Sequence, residues 1–342
     1  MHEITDTDNL VLHERGAWHG LGTVVEDAPT PREALELAGL GWTVQQLDLV
    51  AGSEDEGLDE PLPVPSHVAN VRSDTGGVLG VVGRGYEPIQ NAELAAFSEA
   101  LAEQGDEVKI ESAGSIRSGK RVWFLLKGES LSIDGDGEHV PYICVSNGHD
   151  GTAAMRCTPT TVRVVCSNTL HMVIPDGRDS GRITKGFVVR HTGDVRGKVE
   201  AAKRALELYG RSRDATAELL GTLAAKDVSR SAIQDFWLDV YQRIQAPVPT
   251  NPSTPGEKAQ RTAAERAMKS MAARFDLERD ALGARPSALL ALNAFTGWMQ
   301  HDRPVTGKTL AARAENRVRN RLFGETVGRT GKALEAAVAA FG

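Results

Sequence analysis

Val108-Lys109-Ile110-Glu111-Ser112-Ala113-Gly114-Ser115, then Arg117-Ser118-Gly119-Lys120, then Arg121-Val122-Trp123-Phe124-Leu125-Leu126: this stretch decides the fold class. Two runs of strand-forming residues flank a short Gly/Ser loop, which is the signature of paired antiparallel strands. Before them, Asn91–Gln104 carries Leu94, Phe97, Leu101 and Ala102 at helical spacing and reads as an amphipathic helix. After them, Asp134-Gly135-Asp136-Gly137 is a hairpin turn leading into a strand at His139–Ser146.

The same pattern extends toward the N-terminus. Thr30 is a good N-cap for a helix from Pro31 to Ala38, with Glu33 completing a capping box and Gly39 stopping it. Strands are read at Trp42–Val50, Val64–Arg72 and Gly77–Gly83. Toward the C-terminus, apolar runs follow at Thr161–Cys166 and Ile183–Arg190. Cys166-Ser167-Asn168-Thr169 reads as the entry to a helix whose free N–H groups could meet a phosphate.

From about residue 193 the period changes to that of helices. The fold class is therefore α+β: a strand-rich N-terminal domain with antiparallel sheet and a few helices, then a mostly helical C-terminal region. Four pieces are expected: an α+β domain over 1–192, a helical extension over 193–246, a Pro-rich linker over 247–256, and a helical region over 257–342. The linker is Pro247-Val248-Pro249-Thr250-Asn251-Pro252-Ser253-Thr254-Pro255-Gly256, where four prolines exclude both helix and strand.

Composition narrows the function classes. The 342 residues are 41% hydrophobic and 25% charged, enough for roughly two domains with real cores. No basic and apolar leader opens the sequence, and no apolar run reaches the roughly 18 residues of a membrane span, so a cytoplasmic protein without a membrane partner is expected. Cys144, Cys157 and Cys166 are an odd number set in apolar runs, and they read as reduced core thiols.

Net charge is −7, but it is unevenly spread. Residues 1–150 hold 27 acidic and 9 basic side chains, whereas 151–342 hold 19 and 30. Such asymmetry points to nucleic acid, or to an acidic half that neutralises a basic one.

Several short motifs fail. Thr306-Gly307-Lys308-Thr309 ends like a phosphate-binding loop, yet Asp302 stands where its first glycine is required. Asp134-Gly135-Asp136-Gly137-Glu138 has His139 at the sixth position, where a calcium loop needs glycine. The spacing of Cys144, His149, Cys157, Cys166 and His171 matches no zinc pairing. No cofactor and no metal are expected.

Four clusters taken jointly are specific: Ala17-Trp18-His19-Gly20-Leu21-Gly22; Tyr86-Glu87-Pro88-Ile89-Gln90-Asn91; Ser146-Asn147-Gly148-His149-Asp150-Gly151-Thr152 with Arg163-Val164-Val165-Cys166-Ser167-Asn168-Thr169-Leu170; and Leu292-Asn293-Ala294-Phe295-Thr296-Gly297-Trp298 with His301. In order and spacing they resemble the phage/plasmid-like protein family built on a widespread domain of unknown function. Gln300 departs from that pattern, which has an acidic residue before the histidine. The resemblance implies a place on phages, plasmids and integrated elements, beside replication and recombination genes. A further similarity to single-strand annealing proteins implies a curved antiparallel sheet and assembly into homo-oligomeric rings.

Candidate residues follow. Nucleic-acid contacts are expected from Arg156, Arg163, Arg182, Arg190, Arg313, Arg317 and Arg321, with Trp18 and Tyr86 as stacking surfaces for single-stranded DNA. Arg313, Arg317 and Arg321 stack three like charges at i, i+4 and i+8, a stripe that calls for an anion. The catalytic alternative is a metal-dependent enzyme acting on nucleic acid or nucleotides around His149 and Asp150, an acid–base pair exposed on a loop. Against it, Asn147, Gly148, Asp150 and Gly151 are also the residues a plain turn uses. A non-catalytic protein-interaction factor is the third reading.

Overall fold

The structure, a computed structural model, describes residues 11–13, 23–52, 62–104, 108–163, 168–171, 187–188, 195–309, 312–313, 316–317, 320 and 325–342. It is α+β, with largely antiparallel sheets in the N-terminal half and helices dominating the C-terminal region. Chain contacts divide it into two compact units: 1–128 with 143–158 and 186–207, and 129–142 with 159–185 and 208–342.

The first unit opens with β1 (Val11–His13) and β2 (Thr23–Val25), which pair in parallel. Helix α1 (Pro31–Leu37) starts as the sequence requires: Thr30 accepts from the Glu33 N–H at 3.2 Å, while the Glu33 carboxylate returns to the Thr30 N–H at 2.8 Å. Strands β3 (Val44–Ala51), β4 (Leu62–Arg72) and β5 (Val78–Gly83) form a three-stranded antiparallel sheet with bulges at Asp48/Leu49 and Asn70/Val71. Helix α2 (Asn91–Gln104) buries Leu94, Phe97 and Leu101, the face that the spacing predicts, and packs on α1 and on β7.

The decisive stretch is the hairpin expected, β6 (Lys109–Ile116) and β7 (Arg121–Lys127), in register from Lys109↔Lys127 to Ile116↔Arg121. Nearly every residue of both strands is buried, because β6 pairs onward with β1 and β7 lies beside β9 (Gly137–Gly148). In the first unit β10 (Arg156–Arg163) also pairs with β12 (Phe187–Val188), through Arg156↔Val188 and Cys157↔Phe187. Cys144 and Cys157 are buried free thiols; burial pushes Cys144 up to about 12 and Cys157 higher still.

In the second unit, β8 (Leu131–Ile133) closes the predicted hairpin with β9 through Leu131↔His139 and Ile133↔Gly137. Strand β11 (Asn168–His171) pairs antiparallel with β10 from Thr160↔His171 to Arg163↔Asn168. This corrects the helix entry expected at 166–169. The alternating Asn-Thr-Leu-His run satisfies its backbone on a neighbouring strand, so no helix N-terminus is offered there.

The helical core of this unit joins α3 (Val195–Ala225), α4 (Arg230–Ile244), α5 (Pro255–Leu282), α6 (Ala288–Gly297) and α7 (Glu325–Phe341). Helix α5 begins two residues earlier than the proline count suggests. Thr254-Pro255-Gly256-Glu257 is itself a capping box with proline at the first helical position, so two of the linker's residues start the helix instead. Helix α6 is apolar but for Asn293 and Thr296 and is wholly buried, as a central helix must be, and Trp237 of α4 donates its indole N–H to Ala291 O at 2.8 Å. Trp237 and Trp298 are therefore core residues. Helix α6 runs into a π-helix at Trp298–Asp302, where Arg303 N donates to Trp298 O at 2.8 Å. Among the described residues, no helix is long and apolar enough to cross a membrane.

Candidate nucleic-acid interface

The β6–β7 loop is built on an unusual backbone. Arg117 (φ 56°), Ser118 (φ 57°) and Gly119 (φ 92°) are three successive left-handed residues, and only glycine enters that region freely. Close approach explains the glycine, since a Cβ at Gly119 would lie 2.7 Å from the Trp42 ring. Arg72 stacks on the same ring at 4.5 Å, pairs bidentately with Asp74, and donates to Ser118 O at 3.2 Å. Lys120 N bonds Arg117 O, and His149 N bonds Lys120 O at 2.9 Å. These bonds hold a turn that two non-glycine residues resist. Ser118→Gly is accordingly expected to raise stability by up to about 1 kcal/mol, the relieved left-handed strain less the entropy of the added glycine. Urea unfolding checks it; a loss of stability would mean that Ser118 is unstrained.

The loop brings Arg117 toward Arg121, and Arg121 toward Arg156, Tyr86 and Asp150. Arg121 is held below its ordinary value by burial first, with Arg117 and Arg156 acting in the same direction and Asp150 and Tyr86 against them. It donates to Thr152 Oγ1 at 3.2 Å. Gly148 makes room for it: a Cβ there would stand 2.7 Å from the Arg121 guanidinium. Tyr86 is half-buried, donates its hydroxyl to Gly148 O at 3.0 Å, and is raised by burial and by Asp150. Arg121 thus has two further guanidinium groups, Arg117 and Arg156, for neighbours as well as the Tyr86 phenol and the Asp150 carboxylate, and all five side chains are half-buried.

His149 is not exposed on a loop, contrary to the sequence expectation. It is 0% exposed, with its ring edge-on to Trp42 at 5.3 Å. Asn91 donates its amide to Leu40 O (2.9 Å) and Trp42 O (3.2 Å), so its Oδ1 is an acceptor and His149 Nε2, 2.9 Å away, carries the proton. Burial pulls the imidazole down to about 4, with Asp150 opposing and Arg121 assisting. The ring is neutral near pH 7 and serves as a packing and hydrogen-bonding element. Asp150 instead faces outward: burial raises it, but the Thr152 bonds and Arg121 outweigh that and leave it below the ordinary carboxylate range. Thr152 N–H and Oγ1–H both bond Asp150 Oδ1, at 3.0 and 2.6 Å, which is the side-chain turn that the sequence also allowed.

The arginines expected elsewhere are placed differently. Arg163 ends β10 opposite Asn168, with its side chain outside the described residues, as are Trp18, Arg182, Arg190 and Arg321. Arg317 donates to Gln300 O at 2.9 Å and Arg303 O at 3.3 Å, and burial lowers it, with Asp302 opposing. The guanidinium caps carbonyls at the end of the π-helix. Arg313 is exposed and donates to Gly307 O at 2.9 Å. The anion that the stripe called for is thus replaced, at these two positions, by backbone oxygens of the same unit. Arg317→Lys is expected to cost about 2 kcal/mol, because an ammonium cannot span both carbonyls. Arg313→Lys should cost under about 1 kcal/mol in the same thermal melts; equal costs would contradict the capping role.

The second unit holds a cluster that sequence reasoning missed. Asp136, His139 and Asn293 are all at least nineteen-twentieths buried. His139 Nε2 lies 2.7 Å from Asp136 Oδ2, and the Asn293 amide donates to both carboxylate oxygens at 2.9 and 3.2 Å. Two signals were present: a lone asparagine in the apolar run of α6, and the i, i+3 spacing of Asp136 and His139. Among the described residues, no group of three His, Cys, Asp or Glu side chains is placed to hold a metal ion.

A family model described as "Domain of unknown function (DUF932)" matches residues 78–323. That span takes in the arginine cluster from Tyr86 to Arg156 and the buried Asp136–His139–Asn293 cluster alike. No curated protein and no solved structure matches the chain.

Proposed function

The chain belongs to the DUF932 family, and from that premise we propose that it binds single-stranded nucleic acid in the DNA metabolism of phages and plasmids, as an annealing or recombination accessory. What carries the reading is the grouping of Arg117 and Arg156 about Arg121, which itself neighbours Tyr86. Three like charges held together cost energy in the free protein, and phosphates relieve that cost with bidentate, charge-assisted hydrogen bonds. Tyr86, held by its own hydroxyl bond to Gly148, offers a ring on which a base can stack. A single strand exposes both phosphates and base faces to such a patch.

The catalytic alternative around His149 and Asp150 finds less support. A general base works best with a value near the operating pH and within reach of a proton, and an enclosed imidazole at about 4 offers neither.

The test is binding of short single-stranded oligonucleotides by the full chain, compared with an Arg117→Ala/Arg121→Ala/Arg156→Ala variant. The parent should bind and the variant should lose most of its affinity at low salt while melting as a folded protein. A parent that does not bind, or a variant that binds equally well, overturns the proposal.

A further inference from the structure

One member of the arginine cluster does not suit a phosphate site. Asp150 is an ionised carboxylate beside Arg121 and Tyr86, and on its own it repels the polyanion that the guanidinium groups attract. It is also held firmly. Both bonds that Thr152 gives it land on Oδ1, and the β5 backbone presses close, since a Cβ at Gly80 would lie 2.7 Å from Asp150 Cα. Among the described residues no other side chain donates to the carboxylate, which the backbone of Asp150 itself also supports, so Oδ2 is available to a further donor on this half-exposed residue.

Resting on the nucleic-acid reading above, we propose that Asp150 is a specificity-determining residue: Oδ2 accepts a hydrogen bond from a donor on the nucleotide whose phosphate lies at Arg121. A donor between carboxylate and phosphate converts a repulsion into a charge-assisted bond, which selects nucleotides that carry one. Two groups lie within one nucleotide of a phosphate and have this chemistry, the ribose 2′-hydroxyl and the exocyclic amine of a base. A nucleotide lacking the donor leaves the carboxylate facing the strand unpaired.

The experiment measures binding of short homopolymers by fluorescence anisotropy, with a chelator present to remove divalent cations. Uridine against deoxyuridine isolates the 2′-hydroxyl, and deoxycytidine against deoxyuridine isolates the base amine. The parent should prefer the donor-bearing strand of one pair by about tenfold, the worth of one hydrogen bond to a charged group. Asp150→Asn keeps an oxygen for Thr152 but places an amide where Oδ2 was. It should erase the preference and bind deoxyuridine at least as well as the parent, with an unchanged melting temperature. Binding of all strands alike by the parent, or a preference that survives Asp150→Asn, overturns the role of Asp150 while leaving the nucleic-acid reading intact. No binding of any strand overturns both.

Discussion

His149→Ala is expected to lose about 4 kcal/mol of stability, which is in the exceptional range for a single substitution. Two costs add. The ring packs edge-on against Trp42 in a fully enclosed site, so its removal leaves a cavity comparable to that of a buried aromatic. It also strips Asn91 Oδ1 of its donor, leaving a buried acceptor that costs about 1–3 kcal/mol.

The same residue sets a pH dependence whose sign is fixed by the direction of its shift. Its folded value, about 4, lies below the unfolded value of about 6.5. Above the unfolded value both states are neutral and stability is at its full level. As pH falls from there toward 4, the unfolded chain takes up a proton that the folded chain refuses. Stability therefore drops over that window by on the order of 3 kcal/mol and levels off below it. Chemical denaturation at a series of pH values checks this. His149→Gln, whose amide can still donate to Asn91, should lack this part of the slope. A parent whose stability rises on acidification across the window would contradict a neutral, buried imidazole.

Asn293→Leu should cost roughly 3 kcal/mol, because it takes two hydrogen bonds from a carboxylate that is 1% exposed. Replacing Asp136, His139 and Asn293 together by leucine should cost less than the sum of the three single changes, since the three share their bonds with one another. Thermal unfolding of the single and triple variants makes the comparison. A triple variant at least as damaged as the sum of three singles would show that the cluster is not a coupled unit.

How far the sequence could be read depended on whether the signal was local. Thr30-Pro31-Arg32-Glu33 states a helix start by itself, and the structure uses it bond for bond. The 117–120 loop was equally legible as a turn, but its left-handed backbone was not, because Arg117 and Ser118 have no local reason to adopt it. That conformation comes from Trp42, Arg72 and His149, remote in sequence. Asp150 was legible as a turn residue, though its partner Thr152 was not; His149 misled because burial depends on Trp42 and Asn91, which no spacing reveals. The arginine stripe raises a related point, since two of its members, Arg313 and Arg317, bond backbone oxygens. Helical spacing shows which side chains share a face but not whether backbone oxygens of another segment, here Gln300 and Arg303, already meet them. Arg156 and Tyr86 were found as isolated candidates, whereas Arg117 and Arg121 were read only as parts of a hairpin. Their meeting is a product of sheet register.

The most direct test of the central claim is the salt dependence of single-strand binding by the parent and by the Arg117/Arg121/Arg156 alanine variant. If the three guanidinium groups lie on phosphates, log affinity falls linearly with log salt concentration, and the variant's slope is shallower by about 2, from roughly 0.7 per phosphate contact. Parallel lines for the two proteins, or affinity that ignores salt, would contradict it.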